Sequence, residues 1–588
     1  MLKTTVAVVA ATCGTLAMAM TPGTYSATVP GHNAPMTVTV TVDANKIQKI
    51  DTSKNLETIG VGRVALDRLG KKIVDNQSVN VDNVTGASIT SMALKGAVRQ
   101  TLKEAGADLS KFNKKVDVYP TKDETLKTNV VIIGGGGTGL AAAIAAQQAG
   151  AKVVILEKLG FLGGSTNVSE GALNAPDPER QGKQGIEDSV QKFYDQTMKG
   201  GHDKGTPELV HYLTENALDS VHWMEKLGVK FKPEVGTATG ALYQRSHYPV
   251  TPSGNSYVRV FEKYIAAHPD ITVITDANVE KLLQGKNGRI DGVVADNHGR
   301  KITVMADKGV VIATGGFGAN IKLRQQVNDG VWKEVKLDES IGCTNLKLAA
   351  QGAGIELGKS VGADVIGMSD IQLHPCGTPG TGLMENIRTS GRNRIFVNKD
   401  GDRFVNEGAA RDTLAKAIFA QPGATYWVVV NKIRYPSRDF VDSNGATIAN
   451  MVAQKSVIEA PTVEELAKKT GMDPKKLQAS IDEYNKVVRG EVQKDSVGFS
   501  ANNKADKELL EGPWYACKKV PTVHHTMGGL HINTHAQVVN TDGKVIPGLY
   551  AAGEVTGGIH GSNRLGGNAI ADVMTYGRTA GANAASGK

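Results

Sequence analysis

The chain has 588 residues, more than one hydrophobic core usually serves, so several domains are expected. Its 68 glycines exceed average usage and cluster in short runs, the pattern of backbone that approaches ligands closely and not of a low-complexity tract. A formal net charge of +8 is mild for this length, and no basic block with interleaved aromatics occurs, which argues against nucleic-acid binding.

The N-terminus reads Met1-Leu2-Lys3, a mostly apolar stretch from Thr4 to Leu16, then Ala17-Met18-Ala19. A basic start, a short apolar core and an Ala-x-Ala end predict an export signal over residues 1–19, cleaved after Ala19, and a periplasmic or otherwise secreted mature protein. No later apolar run reaches the roughly 18 residues of a membrane span. Of the four cysteines, Cys13 lies in the signal, and Cys343, Cys376 and Cys517 form no C-x-x-C pair. Neither a disulfide framework nor a zinc site nor attached c-type haem is expected, so electrons carried by haem have to come from a partner.

Residues 23–112 form a first unit. Alternation in Met36–Val42 and Lys46–Ile50 predicts a small sheet, and Ile59–Asp75 and Ser91–Ala105 predict two helices. Polar residues 113–128 read as a linker. A strand beginning at Asn129 carries Val130-Val131-Ile132-Ile133 into Gly134-Gly135-Gly136-Gly137-Thr138-Gly139, a Gly-x-Gly-x-x-Gly that opens the helix Leu140–Ala149. A second strand, Lys152–Leu156, ends on Glu157. Gly134, Gly136 and Gly139 permit a tight turn against a pyrophosphate at a helix N-terminus, and Glu157 suits a ribose hydroxyl, so this unit binds a dinucleotide. Alternating strands and helices continue through residues 129–368, the mark of an α/β domain. Residues 369–517 differ, with an aromatic strand Tyr426–Val430 and polar helices at Val463–Lys469 and Pro474–Arg489. They read as an α+β insertion, because residues 518–588 return to Gly-rich strand-and-loop sequence.

Beyond Glu157 lie Lys158 and Gly163-Gly164-Ser165-Thr166, then Val310-Val311-Ile312-Ala313-Thr314-Gly315-Gly316, and finally Gly548-Leu549-Tyr550-Ala551-Ala552-Gly553-Glu554. This set resembles the FAD-binding domain of the succinate dehydrogenase and fumarate reductase flavoprotein family, over roughly Asn129 to Gly581. The resemblance implies a Rossmann-like α/β domain with the insertion as its capping or clamp domain. It also implies non-covalent FAD held at Gly134, Gly136, Gly139, Glu157, Lys158, Gly164, Ser165, Thr314, Gly315, Gly316, Gly553 and Glu554. In the first unit, Asp82-Asn83-Val84-Thr85-Gly86-Ala87-Ser88-Ile89-Thr90 resembles the motif of small α+β FMN-binding domains, to which a flavin transferase joins FMN through a phosphoester. The acceptor there is the hydroxyl directly after Gly-Ala, usually Thr and here Ser88. The alternative reading of Thr-Gly-Ala-Ser is a helix N-cap turn.

The same resemblance extends to a substrate site. Arg403-Phe404-Val405-Asn406-Glu407 followed by Arg411-Asp412 is similar to the region holding the catalytic arginine of soluble fumarate reductases, which implies proton delivery by Arg411. Val523-His524-His525-Thr526-Met527 and His560-Gly561-Ser562-Asn563-Arg564-Leu565-Gly566-Gly567 resemble carboxylate-binding stretches, implying that role for His524, Arg564 and Gly567. Glu385 and Arg388 match a Glu and Arg that relay protons, and His374 matches a ligand of a second carboxylate. The Thr that assists it is replaced by Met384, which cannot donate a hydrogen bond, so fumarate is disfavoured. An FMN unit and an FAD unit without haem is also the plan of periplasmic urocanate reductases. The reaction expected first is therefore urocanate to imidazolepropionate in anaerobic respiration, driven by an external cytochrome or quinol dehydrogenase. Met384 with Tyr243 or Tyr248 would be apolar walls, and Asp177 or Glu179 the imidazole partner. Fumarate, acrylate, methacrylate or cinnamate are alternatives, and a flavin dehydrogenase or oxidase a more distant one.

Overall fold

The computed structural model describes residues 19–442, 446–501 and 506–587; the export signal expected at residues 1–19 falls outside them except for Ala19. The chain separates into a smaller unit ending at Tyr119 and a larger unit made of Ile59–Val61 with Pro120 onward. In the smaller unit, Met36, Val38, Val40 and Val42 recur at every second position of the strand Pro35–Val42 and all are buried. This strand is the middle of an antiparallel sheet, between Gly23–Pro30 and Ile47–Lys54. Helices Gly62–Asn76 and Ser88–Glu104 close the core with Leu66, Leu69, Ile73, Leu94, Val98 and Leu102. The strand Gly23–Pro30 was not expected. Its Thr24, Ser26 and Thr28 pair hydroxyl to hydroxyl with Thr41, Thr39 and Thr37, so its polar residues form an outer face and mask the strand.

The larger unit is built on a sheet whose parallel core runs Val545–Ala551, Arg300–Ile312, Glu124–Ile133, Val153–Leu156 and Ile271–Ile274. The central strand starts at Glu124 and not at Asn129, because Glu124–Thr128 pairs with the distant Ile302–Ala306. From that strand the chain first adds Val153–Leu156 on one side and later Arg300–Ile312 on the other. The turn at Gly134 thus lies at a topological switch point, where open α/β sheets bind ligands. Helix Gly137–Gln148 follows the turn, and the C-terminal helix Asn568–Ser586 packs on it closely. A Cβ on Gly577 would lie 2.9 Å from Thr138 O and one on Gly581 2.0 Å from Ala142 O, so the contact requires both glycines.

The inserted segment forms an antiparallel sheet ordered Ile371–Gly377, Trp514–Thr526, Tyr426–Asn431 and Ile395–Val397, with Ile458–Ala460 also on Trp514–Thr526. The expected boundary at residue 517 falls inside the 13-residue strand Trp514–Thr526. Its first half pairs with Tyr426–Asn431 and its second with Ile371–Gly377. Helices Val463–Thr470 and Pro474–Val488 flank this sheet with Leu466, Leu477 and Ile481. Arg403 ties the segment together: its guanidinium meets Glu407 at 2.6 Å and Asp495 at 2.7 Å, and all three side chains are almost fully buried. Removing the shared cation would leave two buried carboxylates with backbone N–H donors but without their counter-charge, which costs about 3–5 kcal/mol. Arg403→Ala is therefore expected to lower the thermal midpoint of the FAD-loaded protein strongly; a midpoint within a degree or so of wild type would contradict the account.

Candidate active site

The turn after the central strand is shaped for a pyrophosphate. Gly134 has φ +101°, and a Cβ on Gly139 would sit 1.9 Å from Gly134 O. Gly136 precedes the helix Gly137–Gln148 with no side chain over its N-terminus, where N–H groups and a positive dipole favour an anion. The cleft is lined by this turn with Glu157, Lys158, Gly164, Ser165, Thr314, Gly315, Gly316 and Glu554. Thr314 Oγ1 is buried with no hydrogen-bond partner among the described residues. Gly316 has no room for a side chain, since its Cβ would lie 2.1 Å from Thr526 Oγ1, and Gly553, at φ +73°, would place one 2.3 Å from Thr138 Oγ1. Glu157 accepts from Gly135 N at 2.6 Å and Leu159 N at 2.7 Å. Burial raises the Glu554 carboxyl to about 7, although it accepts from Thr526 N at 3.0 Å. Glycine walls, a helix N-terminus and two carboxylates fit a bound dinucleotide such as FAD.

In the smaller unit, Thr85–Ala87 does form the turn into helix Ser88–Glu104, with Ala87 as N-cap and no side-chain cap, so the Ser88 hydroxyl is not used in capping. The turn before it is held by other groups: Ser91 Oγ donates to Ala87 O at 2.8 Å and Thr90 Oγ1 to Glu57 at 2.5 Å. Gly86, at φ +98°, makes the bend. Ser88 is left exposed in the first turn of the helix, its hydroxyl without a partner among the described residues. An exposed hydroxyl at a helix N-terminus fits a phosphoester there.

A second constellation gathers where the inserted sheet meets the loop before the C-terminal helix. Arg411, the first residue of helix Arg411–Phe419, donates from Nε to Thr239 O at 2.9 Å and from Nη1 to Gln372 Oε1 at 2.8 Å. Arg564 donates from Nη1 to Leu565 O at 3.1 Å, and its buried Nε has no hydrogen-bond partner among the described residues. Neither guanidinium pairs with a carboxylate among the described residues, and burial draws both down, Arg411 to about 10. The rings of His374 and His524 lie 4.6 Å apart. Burial, reinforced by Arg411 and Arg564, holds both histidines well below the usual range, so both are neutral. Cys376 N donates to His374 Nδ1 at 3.1 Å, which leaves the ring proton on Nε2 and makes that nitrogen a donor. His524 Nδ1 meets Thr344 Oγ1 at 2.7 Å. Gly567, at φ +89°, starts the C-terminal helix, and a Cβ there would lie 2.2 Å from Asn174 Oδ1.

Residues 129–570 match the FAD binding domain family and residues 31–103 the FMN-binding domain. The chain belongs to the FAD-binding flavoprotein oxidoreductases. Urocanate reductase of Eggerthella lenta is 35% identical over 95% of this chain and 92% of its own length. NADH:acrylate oxidoreductase of Vibrio harveyi is 34% identical over 96% of this chain, which spans 61% of that relative. The solved open conformation of a flavocytochrome c3 fumarate reductase superposes with a TM-score of 0.62 at 33% identity, covering 82% of this chain and 84% of that one. Among the described residues no helix is long and apolar enough to cross a membrane.

Within this flavoprotein several expected residues sit elsewhere. Asp177 caps helix Pro178–Lys183, pairs with Arg180 at 2.8 Å and meets His247 at 3.0 Å, so its oxygens are taken. Glu179 is exposed beside Lys183, and Tyr243 donates to Glu187 O. Neither belongs to the constellation, whereas Tyr248 lines one cavity with Arg388 and Glu170. Glu170, which sequence reasoning missed, is largely buried, meets Arg388 Nε at 3.0 Å and accepts from Ser390 Oγ at 3.1 Å. Arg434 steadies that loop by donating to the carbonyls of Ser390 and Arg392. Glu385 is partly buried and its carbonyl accepts from Lys519 Nζ; Met384 beside it is also partly buried. Gln372 was missed as well. Gly139→Ala is expected to abolish FAD retention without touching the smaller unit; a desalted variant carrying a full complement of FAD by absorbance would overturn the pyrophosphate assignment.

Proposed function

We propose that the protein is a flavin-dependent reductase that adds hydrogen across the C=C bond of a small 2-enoate. The main support is the pair of buried guanidiniums, Arg411 and Arg564, held by carbonyl and amide oxygens and not by carboxylates. Buried charge without a counter-ion is costly, and an anionic substrate relieves it. FAD, when bound and reduced, supplies a hydride to the β-carbon of the enoate. Negative charge then grows on the α-carbon and carboxylate, where fixed cations bind the transition state better than the ground state. Arg564, His524 and the backbone at Gly567 orient the carboxylate, and Arg411 gives a proton to the α-carbon, so hydride and proton together convert C=C to CH–CH. Burial brings Arg411 closer to an acid's working range. Glu385 and Arg388 return the proton to it.

Urocanate is the enoate this reading ranks first. A neutral imidazole offers one acceptor and one donor; the Nε2–H of His374 supplies a donor, and the Glu170 carboxylate an acceptor. Met384 adds no hydrogen bond, and a relative matched over nearly its whole length is a urocanate reductase. His374 also suits a carboxylate oxygen, which favours fumarate as the second reading. The reading further includes FMN on Ser88, added by a flavin transferase, an external electron donor, and export by the residue 1–19 signal.

With reduced viologen as donor, urocanate is expected to show a higher kcat/KM than fumarate or acrylate. Glu170→Gln should narrow the urocanate preference by about tenfold or more, because a site built around a hydrogen bond discriminates strongly. Better turnover of fumarate by the wild type would remove the substrate assignment and leave the reaction class. Arg411→Ala should cost at least about a hundredfold in rate while FAD stays bound. Protein made with a flavin transferase should weigh one FMN more after denaturation; an unshifted mass, or a shift kept by Ser88→Ala, would refute the attachment site.

A further inference from the structure

We infer that Asp412 is a positioning residue for Arg411, acting through a one-way chain of hydrogen bonds whose direction it sets together with the carbonyls of Gly200 and Arg564. Asp412 follows Arg411 in the helix, yet the path between them runs through two other segments. Asp412 Oδ1 accepts from Asn563 Nδ2 at 3.2 Å, Asn563 Oδ1 accepts from Gln372 Nε2 at 3.0 Å, and Gln372 Oε1 accepts from Arg411 Nη1 at 2.8 Å. All four side chains are buried, with relative exposures of 7%, 3%, 2% and 5% from Asp412 to Arg411.

The direction of this chain is chemically determined. A guanidinium has donors only, so the group facing Arg411 Nη1 has to be an acceptor. The Gln372 amide has an acceptor end and a donor end of nearly equal size, and only its neighbours decide which faces the arginine. Its Nε2 is claimed by Asn563 Oδ1 and by Arg564 O at 2.6 Å. Asn563 is oriented the same way, with Nδ2 given to Gly200 O at 3.2 Å and to Asp412. An ionised carboxylate accepts only, so it rejects the flipped amide. A flip at Asn563 would turn a donor toward Gln372 and drive Gln372 to present its own donor to Arg411. At the outer end Asp412 Oδ2 meets His202 Nε2 at 2.8 Å, and that imidazole is half exposed. The chain thereby fixes the Arg411 guanidinium.

This inference rests on Arg411 delivering the proton, and the test keeps the two apart. In the FAD-loaded full chain, with reduced viologen and urocanate, Asp412→Leu should lower kcat about tenfold or more while KM stays within about twofold, because the carboxylate anchors remain. Asp412→Asn, which still offers an acceptor to Asn563, should return kcat to within about threefold of wild type. Asn563→Leu should match Asp412→Leu, and the double variant should be no worse than either, as expected for two cuts in one chain. If Asp412→Leu yields no FAD-loaded protein, Asn563→Leu carries the same expectation. The inference fails if the leucine variant keeps more than about half of kcat, if the asparagine variant is as impaired as leucine, or if the loss falls on KM. An active Arg411→Ala would instead fail the reading beneath it.

Discussion

Two guanidiniums taken out of water and left without carboxylate partners govern this protein. Arginine stays charged under almost any burial, so the surroundings of Arg411 and Arg564 have to accept that charge or adapt to it. Here they adapt. Carbonyls of Thr239 and Leu565 and the amide of Gln372 accept the N–H groups without cancelling the charge. Burial, with the guanidiniums adding to it, holds the nearby histidines well below the usual range, and the N–H of Cys376 makes His374 Nε2 a hydrogen-bond donor. With no carboxylate hydrogen-bonded to either guanidinium among the described residues, the region selects an anion before it selects a shape.

The fold brings that region to the flavin cleft by simple means. The switch point at Gly134 sets the cleft at the ends of the parallel strands, and Thr314–Gly316 and Glu554 follow neighbouring strands of the same sheet. Thr526 is shared: it closes on Gly316 and Glu554 and ends the strand that carries His524. Burial in the cleft wall pushes the Glu554 carboxyl up to about 7.

Much of this was legible in the sequence, and the limits have physical causes. The Gly-x-Gly-x-x-Gly turn, the helices near Val463 and Pro474 and the strand at Tyr426 obey local rules of periodicity and turn chemistry, and each lies where those rules put it. Gly23–Pro30 and Glu124–Thr128 escaped because their hydrophobic signal is weak and their pairing partners supply the strand. In the candidate site, Arg411, Arg564, His374 and His524 were named from motifs. Glu170 and Gln372 were not, since a glutamate in a Gly-rich loop and a glutamine in a strand carry no chemistry until distant segments face them. Asp177 shows the converse error: proximity in sequence to a cofactor motif suggested a ligand role, but its carboxylate is consumed by a helix cap, Arg180 and His247.

The strand Trp514–Thr526 belongs to the inserted sheet at one end and to the flavin cleft at the other. The same strand thus carries His524, at a bulge in its pairing, and Thr526, at the cleft. Its pairing with Ile371–Gly377 is irregular at two places, opposite Gln372/Leu373 and opposite the stretch from His374 to Gly377. These two register shifts lie on either side of Leu373–His374. His374 and His524, whose rings lie 4.6 Å apart, thus take their places from one pair of strands, so any change in the pairing of those strands alters both at once.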